Sequence, residues 1–170
     1  MKERFFKRRS TWKDAALGAA AGIVGTTAMM PVTELFYRLE PARQRRKEAA
    51  LRRNEPVEKL AARLMKLMGG EATKDQTKCL GQAIHWGIGA ACGAIYAVFR
   101  PYLPVLSKAR GLPFGVLFFL VVDEMLNTAL GVAAPPQRYP MAAHARGLIG
   151  HIAFAVATDG TLRAANAARR

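Results

Sequence analysis

The stretch LVVDEMLNTALG, residues 120–131, lies inside an apolar run from Leu112 to Val132 and carries two adjacent carboxylates, Asp123 and Glu124, at its centre. A carboxylate in hydrocarbon costs roughly 2.5 to 3.5 kcal/mol on insertion scales, so such groups face a helix bundle or a wet cavity and find partners there. If the run spans a membrane, the rest of the chain must supply those partners.

The surrounding composition favours a membrane. Of 170 residues 51% are hydrophobic and the net charge is +14, while the mean hydropathy is near zero. That average hides an alternation of long charge-poor stretches with strongly basic ones, the pattern of membrane spans separated by wet loops. Four segments are long enough to cross a hydrocarbon core, at about 20 helical residues each: residues 15–37, 79–99, 112–132 and 141–162. The chain therefore divides into a basic tail (1–14), a first span (15–37), a basic loop (38–78), and a region of three spans ending in a short basic tail (79–170). The expected fold is an all-α integral membrane four-helix bundle with an additional basic amphipathic helix between the first and second spans. The opening MKERFFKRRSTWKDAALGAAAGIVGTTAMM has the basic and apolar parts of a signal peptide, but its apolar stretch is too long, so it reads as a retained span.

Small residues recur at packing distance: Gly18 and Gly22, Gly89 and Gly93, and Gly147 with Gly150. In lipid, where apolar attraction between helices is absent, such notches let backbones approach closely. Cys79 and Cys92 lie far apart along one helical segment, so no disulfide is expected between them.

The loop after the first span, PARQRRKEAALRRNEPVEKLAARLMKLMGG, contains an amphipathic helix. Asn54 caps it, Pro56 opens it and Gly69-Gly70 ends it. Val57, Leu60, Ala61, Leu64 and Met68 form one stripe, suited to the head-group plane or to docking on the bundle. The basic residues Arg45, Arg46, Lys47, Arg52, Arg53, Lys59, Arg63 and Lys66 are the expected lipid-contacting set. Membrane lipids are thus the expected partners. Nucleic acid is not, because no base-reading fold accompanies the charge. The small-residue faces also suit a homo-oligomer or a larger membrane complex. Lys and Arg are nearly balanced across the two sides, so only the basic leading segment tips the amino terminus toward the cytoplasm; a first segment broken at Pro31 is the alternative.

Up-down threading of four spans brings Glu34, His85, Asp123, Glu124, Asn127, His144 and His151 into the same half of the membrane. His144 and His151 lie two turns apart on one face. Asp123 and Glu124 diverge by about 100° on an α-helix, so one serves the cluster while the other bonds elsewhere. The cluster supports three readings: structural glue, a proton-responsive or proton-conducting site, and a metal site formed by His85, Asp123, His144 and His151. No cofactor is expected; a metal ion is the open alternative, with a haem held by His85 and His151 a weaker one. Near the opposite face, Asp159 is placed to pair with Arg163 at i+4, at an interfacial helix end. No nucleophile elbow, P-loop or dinucleotide fingerprint is present, so the expectation is a non-enzymatic protein.

Three stretches, HWGIGAACGAIYA (85–97), GLPFGVLFFLVVDE (111–124) and GVAAPPQRYPMAAHARGLIGHIAFAVATD (131–159), together resemble the YagU-like family of small bacterial inner-membrane proteins of unknown function. The resemblance covers residues 80–160 and a glycine-rich first span. It rests most specifically on His85-Trp86, Asp123-Glu124, the PPQRYP loop, His144 and His151. It implies a multi-pass protein of the bacterial plasma membrane with a link to acid tolerance, and no established reaction or ligand. The basic segment from Arg43 to Lys78 falls outside it.

Overall fold

The computed structural model describes residues 11–51, 55–71 and 73–168, so Arg52, Arg53 and Asn54 lie outside the described residues. All the described regular structure is helical: α1 (Thr11–Leu39), α2 (Ala42–Leu51), α3 (Pro56–Leu67), α4 (Lys74–Phe99), α5 (Leu112–Phe118), a π-helical stretch (Phe119–Leu126), α6 (Asn127–Ala129) and α7 (Met141–Ala167). By length and composition, Thr11–Leu39, Lys74–Phe99 and the composite run Pro104–Ala129 can each cross a membrane. In α7 the residues His144, Arg146, His151 and Asp159 dilute the hydropathy of a helix otherwise as long as α1 and α4.

The helix ends follow from local chemistry. At the start of α4, the Thr73 hydroxyl accepts from the Gln76 amide while the Gln76 side chain accepts from the Thr73 amide, a reciprocal capping box. At the end of α3, Gly69 adopts a left-handed φ of 82°. Its amide and that of Gly70 then donate back to the Lys66 and Met65 carbonyls. Glu55, rather than Asn54, is the N-cap of α3, with Pro56 at the first position. α1 runs unbroken through Pro31, which removes the broken-segment alternative. Thr33, two residues beyond the proline, donates to the Met29 and Met30 carbonyls.

α1 is the centre of the bundle, packed against α4 on one side and α7 on the other, with α5 against α7 and α3 against α4. The contact between α1 and α4 is made by glycines. A Cβ at Gly18 would stand 2.5 Å from the Gly93 carbonyl oxygen, and one at Gly93 would stand 2.6 Å from the Gly22 Cα. Backbones this close gain dispersion contacts along their whole crossing. Below the middle of the bundle, Tyr96 stacks on Phe114 at 4.4 Å and Phe118 meets Phe154 edge-on at 5.0 Å, closing an aromatic core.

The outer surface reverses the pattern of a water-soluble protein. Ile23 and Val24 on α1, Ile95 on α4, and Leu117, Leu120 and Val121 on the composite run Pro104–Ala129, the third rod, are exposed, while Arg146, His151, Thr158 and Asp159 are buried. Exposed contiguous apolar faces around a polar interior suit an apolar solvent.

The amphipathic helix α3 docks on the bundle. A Cβ at Gly81 would stand 3.2 Å from the Glu58 amide nitrogen. Further along α4, Val57 shares a small cavity with His85, Ile88 and Gly89. α3 therefore runs antiparallel to α4 and points its amino-terminal end into the bundle. The Arg63 guanidinium donates to the carbonyls of Leu130 and Gly131, at the end of the third rod.

Candidate functional site: a polar cleft in one half of the bundle

The answer to the paired carboxylates is the π-helix. The i→i+5 bonding from Phe119 to Leu126 widens the turn, so consecutive residues diverge by less than the roughly 100° of an α-helix. Both acidic side chains then reach α7, contrary to the expectation that one would bond elsewhere. Glu124 Oε1 lies 2.7 Å from His144 Nδ1, and Asp123 Oδ2 lies 3.8 Å from His151 Nδ1. The two-turn spacing of the histidines matches the two carboxylates.

The ring nitrogens have definite roles. His144 Nε2 lies 3.0 Å from the Pro136 carbonyl oxygen, which only accepts, so Nε2 carries a hydrogen. The contact between His144 and Glu124 then holds one proton, either on the imidazole as an ion pair or on the carboxyl as a neutral pair. His151 Nδ1 donates to the Gly147 carbonyl at 2.8 Å. Its ring, 97% buried, stands edge-on to Phe118 at 4.6 Å. Gly147 makes room for this arrangement, since a Cβ there would meet the Phe119 ring at 2.8 Å and Asp123 Oδ2 at 3.4 Å.

Asp123, Glu124, His144 and Gly147 line a cleft of about 290 Å³ together with His85, Asn127, Glu55 and Arg146. It shares His85, Asp123 and Asn127 with an inner cavity of about 70 Å³ that ends on Phe118 and Phe154 and also contains His151. On its other side it shares Glu48, Glu55 and Arg146 with a wider cleft of about 750 Å³ between α1 and α2, which Glu34 lines. The Asp123 side chain is 39% exposed, so the cleft is open, whereas its floor is aromatic.

Glu34 does not join the histidines. It pairs with Arg38 one turn on, at 2.6 Å and well exposed. The proposed metal set is not assembled either: among the described residues no three His, Cys, Asp or Glu side chains are grouped so as to hold a metal ion. His85, Asp123, His144 and His151 are distributed instead between two separate His/carboxylate pairs and a wall position. Arg63 and Arg45, read as lipid-contacting, also donate to backbone carbonyls, Arg45 to that of Arg38 at 3.0 Å.

Two buried ionic networks extend beyond the sequence reading, which held only the Asp159–Arg163 pair of the second. Arg146 donates to the carboxylates of Glu40 and of Glu48, the latter at 2.6 Å, and lies 5.0 Å from the Tyr37 ring centroid. This network fastens α2 to α7. At the opposite end of the bundle Asp159 is fully buried and takes the Tyr96 hydroxyl at 2.7 Å, Arg100 at 3.2 Å and Arg163. The i+4 pairing with Arg163 is present, and Asp159 is in addition a buried residue that joins α4 to α7. A basic residue embedded in an apolar helix was the available signal for the first network; the partners come from distant segments and carry no spacing.

No protein-family model, curated protein or solved structure matches the chain.

Proposed function

We propose that this chain is a non-enzymatic, four-span protein of the bacterial plasma membrane, of the YagU-like kind, whose His/carboxylate cleft takes up and releases protons and so responds to pH on one side of the membrane. The observation that carries the reading is the Glu124–His144 pair: two groups holding one proton, 2.7 Å apart, on the wall of an open cleft. Histidine is the side chain whose unperturbed charge changes between about pH 5 and 8. Asp123 from the same rod, His85 from α4, Glu55 from the α3 cap, Glu48 from α2 and Arg146 from α7 line the same cleft. A proton gained or lost at the pair is therefore felt by three further elements.

Response suits the geometry better than conduction. The inner cavity stops at Phe118 and Phe154, and the Tyr96–Phe114 stack lies beyond them in the buried core. A proton entering from the cleft meets this aromatic floor.

The test is an NMR titration of ring-labelled histidines in nanodiscs from about pH 5 to 8. The His144 signal should shift through this range in the wild-type protein and follow a different course in Glu124→Gln. A His144 signal that is constant across the range would reduce the pair to structural glue and overturn the proposal. A proton current through reconstituted vesicles, abolished by Glu124→Gln, would replace response with conduction.

A further inference from the structure

The segment from Pro41 to Lys78 carries eleven Lys and Arg against five Asp and Glu. Its amphipathic helix, α3, uses only half of its apolar stripe inside the protein. Ala61 is completely buried against α4, but Leu67 and Met68 are 84% and 83% exposed and Leu64 is exposed beside them. Three large apolar side chains thus project together from the outer end of a helix whose inner end is a cleft wall.

The height of that end is set by Arg63. Its guanidinium is bonded to the carbonyls of Leu130 and Gly131, where the third apolar rod stops. One turn beyond Arg63, Leu67 and Met68 therefore sit at the border of the apolar belt, where a bilayer passes from acyl chains to head groups. Lys66 on α3 and Lys74 and Lys78 at the start of α4 are exposed around them. Glu71 and Asp75 are the acidic neighbours and leave the local balance positive.

We propose that the carboxyl-terminal end of α3, with Leu64, Leu67 and Met68 as its apolar contact and Lys66, Lys74 and Lys78 as its charges, docks on the anionic lipid surface bordering the bundle. The apolar side chains enter the head-group boundary and the ammonium groups meet lipid phosphates, each basic residue adding attraction that salt screens. Because the same rigid helix presents Val57 to the cleft, its lipid contact and the shape of the cleft are two ends of one element. The inference rests on membrane embedding but is independent of the proton chemistry of the cleft.

The experiment places an environment-sensitive fluorophore at Leu67→Cys in a Cys79→Ser, Cys92→Ser background, with a second preparation labelled at Val121→Cys on the exposed face of the third rod. Both are reconstituted in phosphatidylcholine vesicles with and without phosphatidylglycerol. The Val121 dye should emit as in hydrocarbon in both. The Leu67 dye should shift to the blue in the anionic vesicles, and the shift should be lost at high salt and in Lys66→Gln, Lys74→Gln, Lys78→Gln. A Val121 dye in hydrocarbon beside a Leu67 dye that reports water in both vesicle types would overturn the docking surface alone. A Val121 dye in water would overturn membrane embedding, and the docking with it. A Leu67 shift that follows protein density instead of lipid charge would assign this end of α3 to a second copy of the chain and overturn the lipid assignment.

Discussion

His144 holds Glu124 with one ring nitrogen and the Pro136 carbonyl with the other, at 2.7 and 3.0 Å. One imidazole thus ties the middle of the third rod to the loop that leads into α7, and it does so only while a proton is present between Nδ1 and Oε1.

Glu124→Ala should therefore cost about 1 to 3 kcal/mol of stability, the range for a hydrogen bond with a charged partner. His144→Ala made on top of it should cost less than His144→Ala made alone, because the partner is already gone. Denaturant titration of all four proteins in detergent, followed by circular dichroism, gives the coupling directly. Additive effects would mean that the 2.7 Å contact contributes nothing.

The α1–α4 crossing makes a second, sharply graded prediction. At Gly22 and Gly93 an added methyl group meets backbone of the opposite helix, so the helices must separate and lose contacts along their length. Gly93→Ala should destabilise by about 1 to 3 kcal/mol, as overpacking does. At Gly87 and Gly160 a Cβ would meet nothing within 4 Å. There the better helix propensity of alanine should make the change neutral or favourable by up to about 1 kcal/mol. Thermal unfolding of the three variants in one detergent orders them, and equal midpoints would contradict the close crossing.

Those glycines could be read from the sequence, because a four-residue spacing of small residues on an apolar helix has one packing consequence. Three of the four candidate spans could be read as well, because an apolar run of membrane length has few other uses. Other features could not. Nothing in FLVVDEML marks a π-helix, the widened turn that brings Asp123 and Glu124 toward two histidines on α7. The direction of α3 was equally hidden: its stripe fits a lipid surface and a helix groove alike, and only Gly81, seven residues into α4, admits Glu58 and decides between them. Arg146 was visible as a misplaced charge, yet its partners Glu40 and Glu48 stand in a basic stretch where carboxylates look like surface residues.

Arg63 supplies a local prediction. It is the guanidinium that fixes the middle of α3 to the end of the third rod, so Arg63→Gln should free α3 without disturbing the glycine crossing. Amide hydrogen exchange should rise about tenfold across Val57–Leu67 and stay unchanged across the buried part of α1, as expected for a local opening that loses one charged hydrogen-bonding group. Exchange that rises equally in both helices would show α3 to be part of the global unit.

Asp159 separates a buried charge from an exposed one within a single network. Its carboxylate is fully buried and meets Tyr96, Arg100 and Arg163, but the Arg163 side chain is 57% exposed and the Arg100 side chain only 18%. Removing the carboxylate leaves the Arg100 guanidinium and the Tyr96 hydroxyl without their acceptor in a low-dielectric interior, so Asp159→Ala should cost about 3 to 5 kcal/mol. Tyr96→Phe removes one neutral donor to a charged acceptor and should cost about 1 to 2 kcal/mol. Arg163→Gln loses a solvent-screened pair and should stay within about 1 kcal/mol. The order Asp159, Tyr96, Arg163 follows from burial, since all three share the same carboxylate. Denaturant titrations that placed Arg163→Gln beside Asp159→Ala would mean that the carboxylate is stabilised from the surface, and that the join between α4 and α7 depends on the head-group region more than on the bundle core.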